Sequence, residues 1–124
     1  MIQIKTVSLA YRLAEELSKT GVPFRADAWD NNPPPNYGVV EMTGQNNADW
    51  ADGRMVDQTF QADITVFVTC GSVNWVNRIQ DRLEELDAGY SLVQHQWLPD
   101  IRKTAWTWRA SFFAPMEWEE AAEV

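Results

Sequence analysis

Residues 59–86 read TFQADITVFVTCGSVNWVNRIQDRLEEL. Their period changes halfway. Phe60, Ala62, Ile64, Val66 and Val68 alternate with Gln61, Asp63, Thr65, Phe67 and Thr69, which is the spacing of a strand with one face on a core. The β-branched and aromatic residues crowded into this stretch suit a pleated, half-buried surface. After Gly71-Ser72 the apolar residues Val76, Ile79, Leu83 and Leu86 recur at helical spacing, as in an amphipathic helix. A strand that turns into such a helix predicts a β-α unit in which the helix folds back over the sheet.

Working outward toward the N-terminus, Val7, Ala10, Leu13, Ala14 and Leu17 form a stripe within residues 5–20. This predicts a helix packed on the sheet, with Thr6 as its N-cap and Gly21 and Pro23 as its stop. Residues 22–29 predict a short strand, and DNNPPPN (30–36) an extended connection, because consecutive prolines cannot join a central ladder. Tyr37–Met42 predicts another strand. The following stretch, TGQNNADWADGRMVDQ (43–58), has Gly, Asn and Asp punctuation and no period. It predicts a long loop, either a contact site or the tip of a hairpin.

Working outward toward the C-terminus, Ala88-Gly89 closes the second helix. Residues 90–98 (YSLVQHQWL) and 103–114 (KTAWTWRASFFA) then read as two strands joined at Pro99-Asp100. Trp106, Trp108, Ala110 and Phe112 share one face of the last strand. The expected order is α-β-β-β-α-β-β. Runs of strands between helices predict an α+β fold, a mostly antiparallel sheet with two helices packed on one face. One domain is expected over residues 1–114, followed by an acidic tail over 115–124.

The chain has 124 residues, 45% of them hydrophobic, seven tryptophans, one cysteine and a formal net charge of −8. That length supports a self-supporting core. No apolar run reaches the roughly 18 residues of a membrane span, and Arg12, Glu15 and Glu16 interrupt any secretory layout near the N-terminus. A lone cysteine permits no internal disulfide and points to a reducing compartment. Without a basic stripe, general nucleic-acid binding is disfavoured.

Little in the sequence points to chemistry. His95 lies in an alternating strand and Cys70 ends an apolar one, so each reads as structural. With one His and one Cys, a zinc site of ordinary ligand composition would need several carboxylates. Asp49, Asp52 and Asp57 do not follow the calcium-loop spacing, and the glycines form no phosphate cradle. Glu84, Glu85 and Asp87 put negative charge at a helix C-terminus, which is mildly unfavourable and hints at a cationic partner. The expectation is no enzyme, no metal and no cofactor. The residues 43–58 carry Trp50, Arg54 and Met55, types favoured in interface cores, beside acids that could set register on a partner. The candidate interface is therefore Asp49, Trp50, Asp52, Arg54, Met55 and Asp57.

In TVSLAYRLAEEL (6–17), in FQADITVFVT (60–69) followed by NRIQDRLEEL (77–86), and in TAWTWRASFF (104–113), the chain resembles the tail-terminator (tail-completion) proteins of long-tailed bacteriophages. The likeness is one of element order and texture over residues 5–114, not of an invariant motif. It implies a structural virion protein that forms a homo-oligomeric ring, usually a hexamer, at the head-proximal end of the tail tube. Such a ring stops tube polymerisation and joins the tube protein to the head connector or a head-closure protein. It would be made in the host cytoplasm and act in the virion, with no membrane partner, while DNA passes through it without specific binding. An acidic lumen would repel phosphate. Two alternatives stand beside it: a head-closure or other neck protein, and a monomeric α+β binding domain with an aromatic pocket of Trp97, Trp106 and Trp108.

Overall fold

The computed structural model describes residues 6–26, 29, 32–51, 54–69 and 73–113. The elements follow the expected order: α1 (Thr6–Ser18), β1 (Phe24–Arg25), β2 (Tyr37–Ala51), β3 (Arg54–Val68), α2 (Val73–Glu85), β4 (Gly89–Leu98) and β5 (Lys103–Phe113). The strands form one five-stranded sheet in the order β1-β2-β3-β5-β4. Each pairing is antiparallel except that of β1 with β2, which is parallel. The molecule is thus an α+β fold with a mostly antiparallel sheet.

The alternation in β3 places its core face as expected. Phe60, Ala62, Ile64, Val66 and Val68 are buried, together with Trp108, Ala110 and Phe112 from β5 and Val40 from β2. Leu9, Leu13, Ala14 and Leu17 of α1 and Val76, Ile79 and Leu83 of α2 belong to the same cluster. Both helices therefore cover one face of the sheet. The register stacks Phe60 on Phe112 with ring centroids 4.9 Å apart, an offset contact that adds to simple area burial.

Four expectations are corrected. The strand read over residues 22–29 is two residues long, Phe24–Arg25, and pairs with Gly38 and Val39. Gly38 allows this pairing, because a Cβ there would lie 2.1 Å from the Phe24 ring. Thr6 is the first helical residue of α1 rather than a cap preceding it. The second helix is closed not by Ala88-Gly89 but by Asp87, whose φ is 57°. There the Asp87 N–H donates to the Glu84 carbonyl and the Ala88 N–H to the Leu83 carbonyl, both at 3.0 Å, the paired bonds of a Schellman motif. Finally, residues 43–51 and 54–58, read as part of one long loop, are strand. β2 continues to Ala51 and β3 begins at Arg54.

One polar link between the helices has no signature in the apolar pattern. Glu16 on α1 is 5% exposed. Its carboxylate accepts from Lys19 Nζ at 3.0 Å, faces Arg12 Nη2 at 3.4 Å, and accepts from Arg82 on α2. Burial raises the Glu16 pKa, but hydrogen bonds and charge from Lys19 and Arg82 outweigh it and hold the carboxyl below its ordinary range. A buried carboxylate is tolerated because it is paired.

Candidate protein interface

The six residues singled out as a candidate interface fall around the turn between β2 and β3. The register sets Asp49 opposite Asp57, Trp50 opposite Met55 and Ala51 opposite Arg54. Five of the six positions thus come together on two facing strands, while Asp52 lies outside the described residues. β5 reaches β3 only from Val68 back to Thr59. Beyond that point, among the described residues, β2 and β3 pair only with each other in the sheet, so residues 54–58 and their partners form a two-stranded ribbon. At about 3.4 Å per residue it extends roughly 17 Å past Phe113, the last described residue of β5. Irregularities between Asn46 and Asp49 and between Asp49 and Trp50 add twist along it.

β4 is the opposite edge of the sheet. Through its register with β5, Tyr90, Leu92, His95 and Trp97 share the helix-bearing side, whereas Gln96 shares the other. The irregularity between Leu92 and Gln94 leaves Val93 without a register partner on β5. Leu92, Val93 and Trp97, with Ile101 in the following turn, are all exposed at close to half of their surface. Nothing in hydrophobic periodicity singled these residues out. The signal available was the absence of any Asp, Glu, Lys or Arg from GYSLVQHQWL in so acidic a chain.

His95 is an exposed strand residue that stacks on Trp106 with centroids 3.8 Å apart and planes 13° from parallel. Cys70 lies outside the described residues, as does the acidic stretch 114–124. Among the described residues, no three His, Cys, Asp or Glu side chains gather as a metal site, and no helix is long and apolar enough to cross a membrane.

The aromatic pocket expected from Trp97, Trp106 and Trp108 is not formed by those three. Trp108 is 1% exposed and belongs to the core. An aromatic cleft lies instead on the sheet near β1, with a volume of about 520 Å³, between Trp29, Pro33, Tyr37, Phe67 and Glu41. Tyr37 stacks on Phe67 at 4.8 Å and meets the edge of Trp29 at 5.7 Å. Trp29 Nε1–H donates to the Gly38 carbonyl at 3.2 Å, and the Arg25 guanidinium lies over its ring at 4.6 Å. The Asn36 side chain ties the proline-rich connection to the sheet by accepting from the Thr69 N–H at 3.0 Å.

The chain matches no protein-family model and no curated protein.

Proposed function

We propose that this protein is a structural component of a phage virion, a ring that caps the head-proximal end of the tail tube, ends its polymerisation and joins it to the head connector. The observation that carries this reading is the β2–β3 ribbon. Among the described residues it extends past β5 with only its own two strands paired, and its end bears Trp50, Arg54 and Met55, types enriched where proteins meet. A two-stranded hairpin alone is marginally stable in water, so a partner surface is the natural place for it to gain stability. The element order agrees with the resemblance to tail terminators. The tube protein or a neighbouring copy is the partner the ribbon would meet, with Asp49 and Asp57 setting register against basic groups.

The test is Trp50→Ala combined with Met55→Ala. The domain stays folded, and electron microscopy shows tails that are uncapped or of uncontrolled length. Normal tail lengths with firmly attached heads exclude the ribbon as the principal contact.

A second reading, a monomeric binding domain, is favoured by the Trp29–Tyr37–Phe67 cleft, whose volume falls in the range of small-molecule sites. Mass in solution separates the two, since a ring has several copies and a cleft protein one.

A further inference from the structure

We infer that the outer edge of β4 is the seam between copies of this chain, and that it pairs antiparallel with the free outer edge of β2 on the next copy. The inference rests on the ring reading and names the surface that would close the ring.

Edge strands present unpaired backbone groups, and proteins commonly guard them with charge, proline, brevity or a bulge. Of these guards β4 has only the bulge. It runs for 10 residues, GYSLVQHQWL, without proline or a formally charged side chain; its one irregularity is the bulge at Val93. Two copies of a chain with net charge −8 repel over most of their surfaces. Along β4 the approach brings no acid against acid. The exposed Leu92, Val93 and Trp97 supply apolar surface to bury there.

The direction of the strands selects the partner edge. β2, β3, β5 and β4 run alternately up and down through their antiparallel registers, so β2 and β4 point in opposite directions. In a ring every copy points the same way. Placing β4 of one copy beside β2 of the next therefore gives an antiparallel pair without inverting either molecule. On that edge β1 covers Gly38 and Val39, so among the described residues β2 is free from Val40 onward. Pairing β4 with β4 of a second copy is also antiparallel, but it closes at two copies and leaves the β2 edge unused.

The registers also set the stagger. His95 lies level with Gly38 through Trp106 and Val66. To clear β1 and keep the helix-bearing faces on one side, β4 must slide along its neighbour by an even number of residues. Four place β4 up to Trp97 on the free part of β2 and six bring Leu98 clear of Val39 as well, about 13–20 Å at 3.3 Å per residue. Across the four strands from β2 to β4, about 19 Å at 4.8 Å each, this tilts the strands by about 35–46°. Closed barrels require a tilt of about 35–45°, so the displacement imposed by β1 is of the size that closes a sheet on itself.

The test uses the full-length protein in a Cys70→Ser background. Gln96→Cys combined with Glu41→Cys covers the shorter stagger, and Gln96→Cys combined with Thr43→Cys the longer. Gln96 and Glu41 lie on the sheet face away from the helices, and Thr43 sits at the register shift between Met42 and Gly44. One of the two double variants, oxidised in the purified protein or in assembled tails, yields a ladder of crosslinked species beyond the dimer. Gln96→Cys alone yields none. Val93→Lys, at a position without a β5 partner, keeps the wild-type secondary structure by circular dichroism and a cooperative unfolding transition, and shifts the mass from oligomer to monomer. Absence of a ladder from both double variants in both preparations overturns the seam, as does an oligomer that survives Val93→Lys. A dimer from Gln96→Cys alone overturns it in favour of β4–β4 pairing. A wild-type ring without crosslinks leaves the ring reading standing and removes only this seam. Wild-type protein that stays monomeric, in tails that terminate normally without it, removes the ring reading itself.

Discussion

Two residues show how local chemistry is set by what surrounds it. Asp87 closes α2 with a φ of 57°, a conformation that costs a non-glycine residue about 1–2 kcal/mol. Its carboxylate also sits at the negative end of the helix dipole. Asp87→Gly is therefore expected to stabilise the protein by about 1 kcal/mol, read as a higher midpoint in chemical denaturation with an unchanged slope. Glu16 behaves oppositely. Its folded-state pKa is held down by Lys19 and Arg82 against the opposing effect of burial, so its contribution is present above the ordinary value of 4.5 and is lost as pH falls through the lowered one. Glu16→Gln removes the charge that Arg82 faces, at an expected cost of roughly 2–3 kcal/mol. That is less than the 3–5 kcal/mol of fully buried pairs, because Arg82 is partly open to water. Stability against pH below 5 should be flatter in the variant than in the wild type; parallel acid limbs would assign the acid sensitivity to other carboxylates.

At the scale of elements, the alternation in β3 and the stripes on α1 and α2 match because they enclose one core. Ile64 has no exposed surface at the centre of that core. Ile64→Ala is expected to cost about 2–5 kcal/mol, and a loss below about 0.5 kcal/mol, typical of surface positions, would contradict its central place. The β2–β3 ribbon obeys a different rule. TGQNNADWADGRMVDQ shows no hydrophobic period. Its strands are set by backbone pairing across the hairpin, interrupted by three register shifts. A polar strand of this kind is indistinguishable from a loop by composition, which is why residues 43–58 read as one. Five of the candidate positions are nonetheless brought together, because Asp49, Trp50, Arg54, Met55 and Asp57 lie on facing stretches of β2 and β3.

For the whole molecule, the net charge of −8 opposes association of copies, and salt screens such repulsion over about 10 Å at 0.1 M. Raising ionic strength from about 0.02 to 0.3 M is expected to increase the oligomer fraction measured by sedimentation. A decrease would mean that opposite charges, not an uncharged edge, hold the copies together. What the sequence determined by itself was the class, order and core of the fold. Hydrophobic period 2 at residues 60–68 and helical period on either side are local properties that water enforces residue by residue. What the tertiary structure alone decided was the neighbour relations. The register places β5 between β3 and β4, leaves β4 as an open edge, buries Trp108 away from any pocket, brings Tyr37 onto Phe67, and pairs Glu16 with Arg82 across the helices. Those relations join residues far apart in the chain, and they follow from the geometry of strand pairing and close packing, which no single stretch of sequence carries.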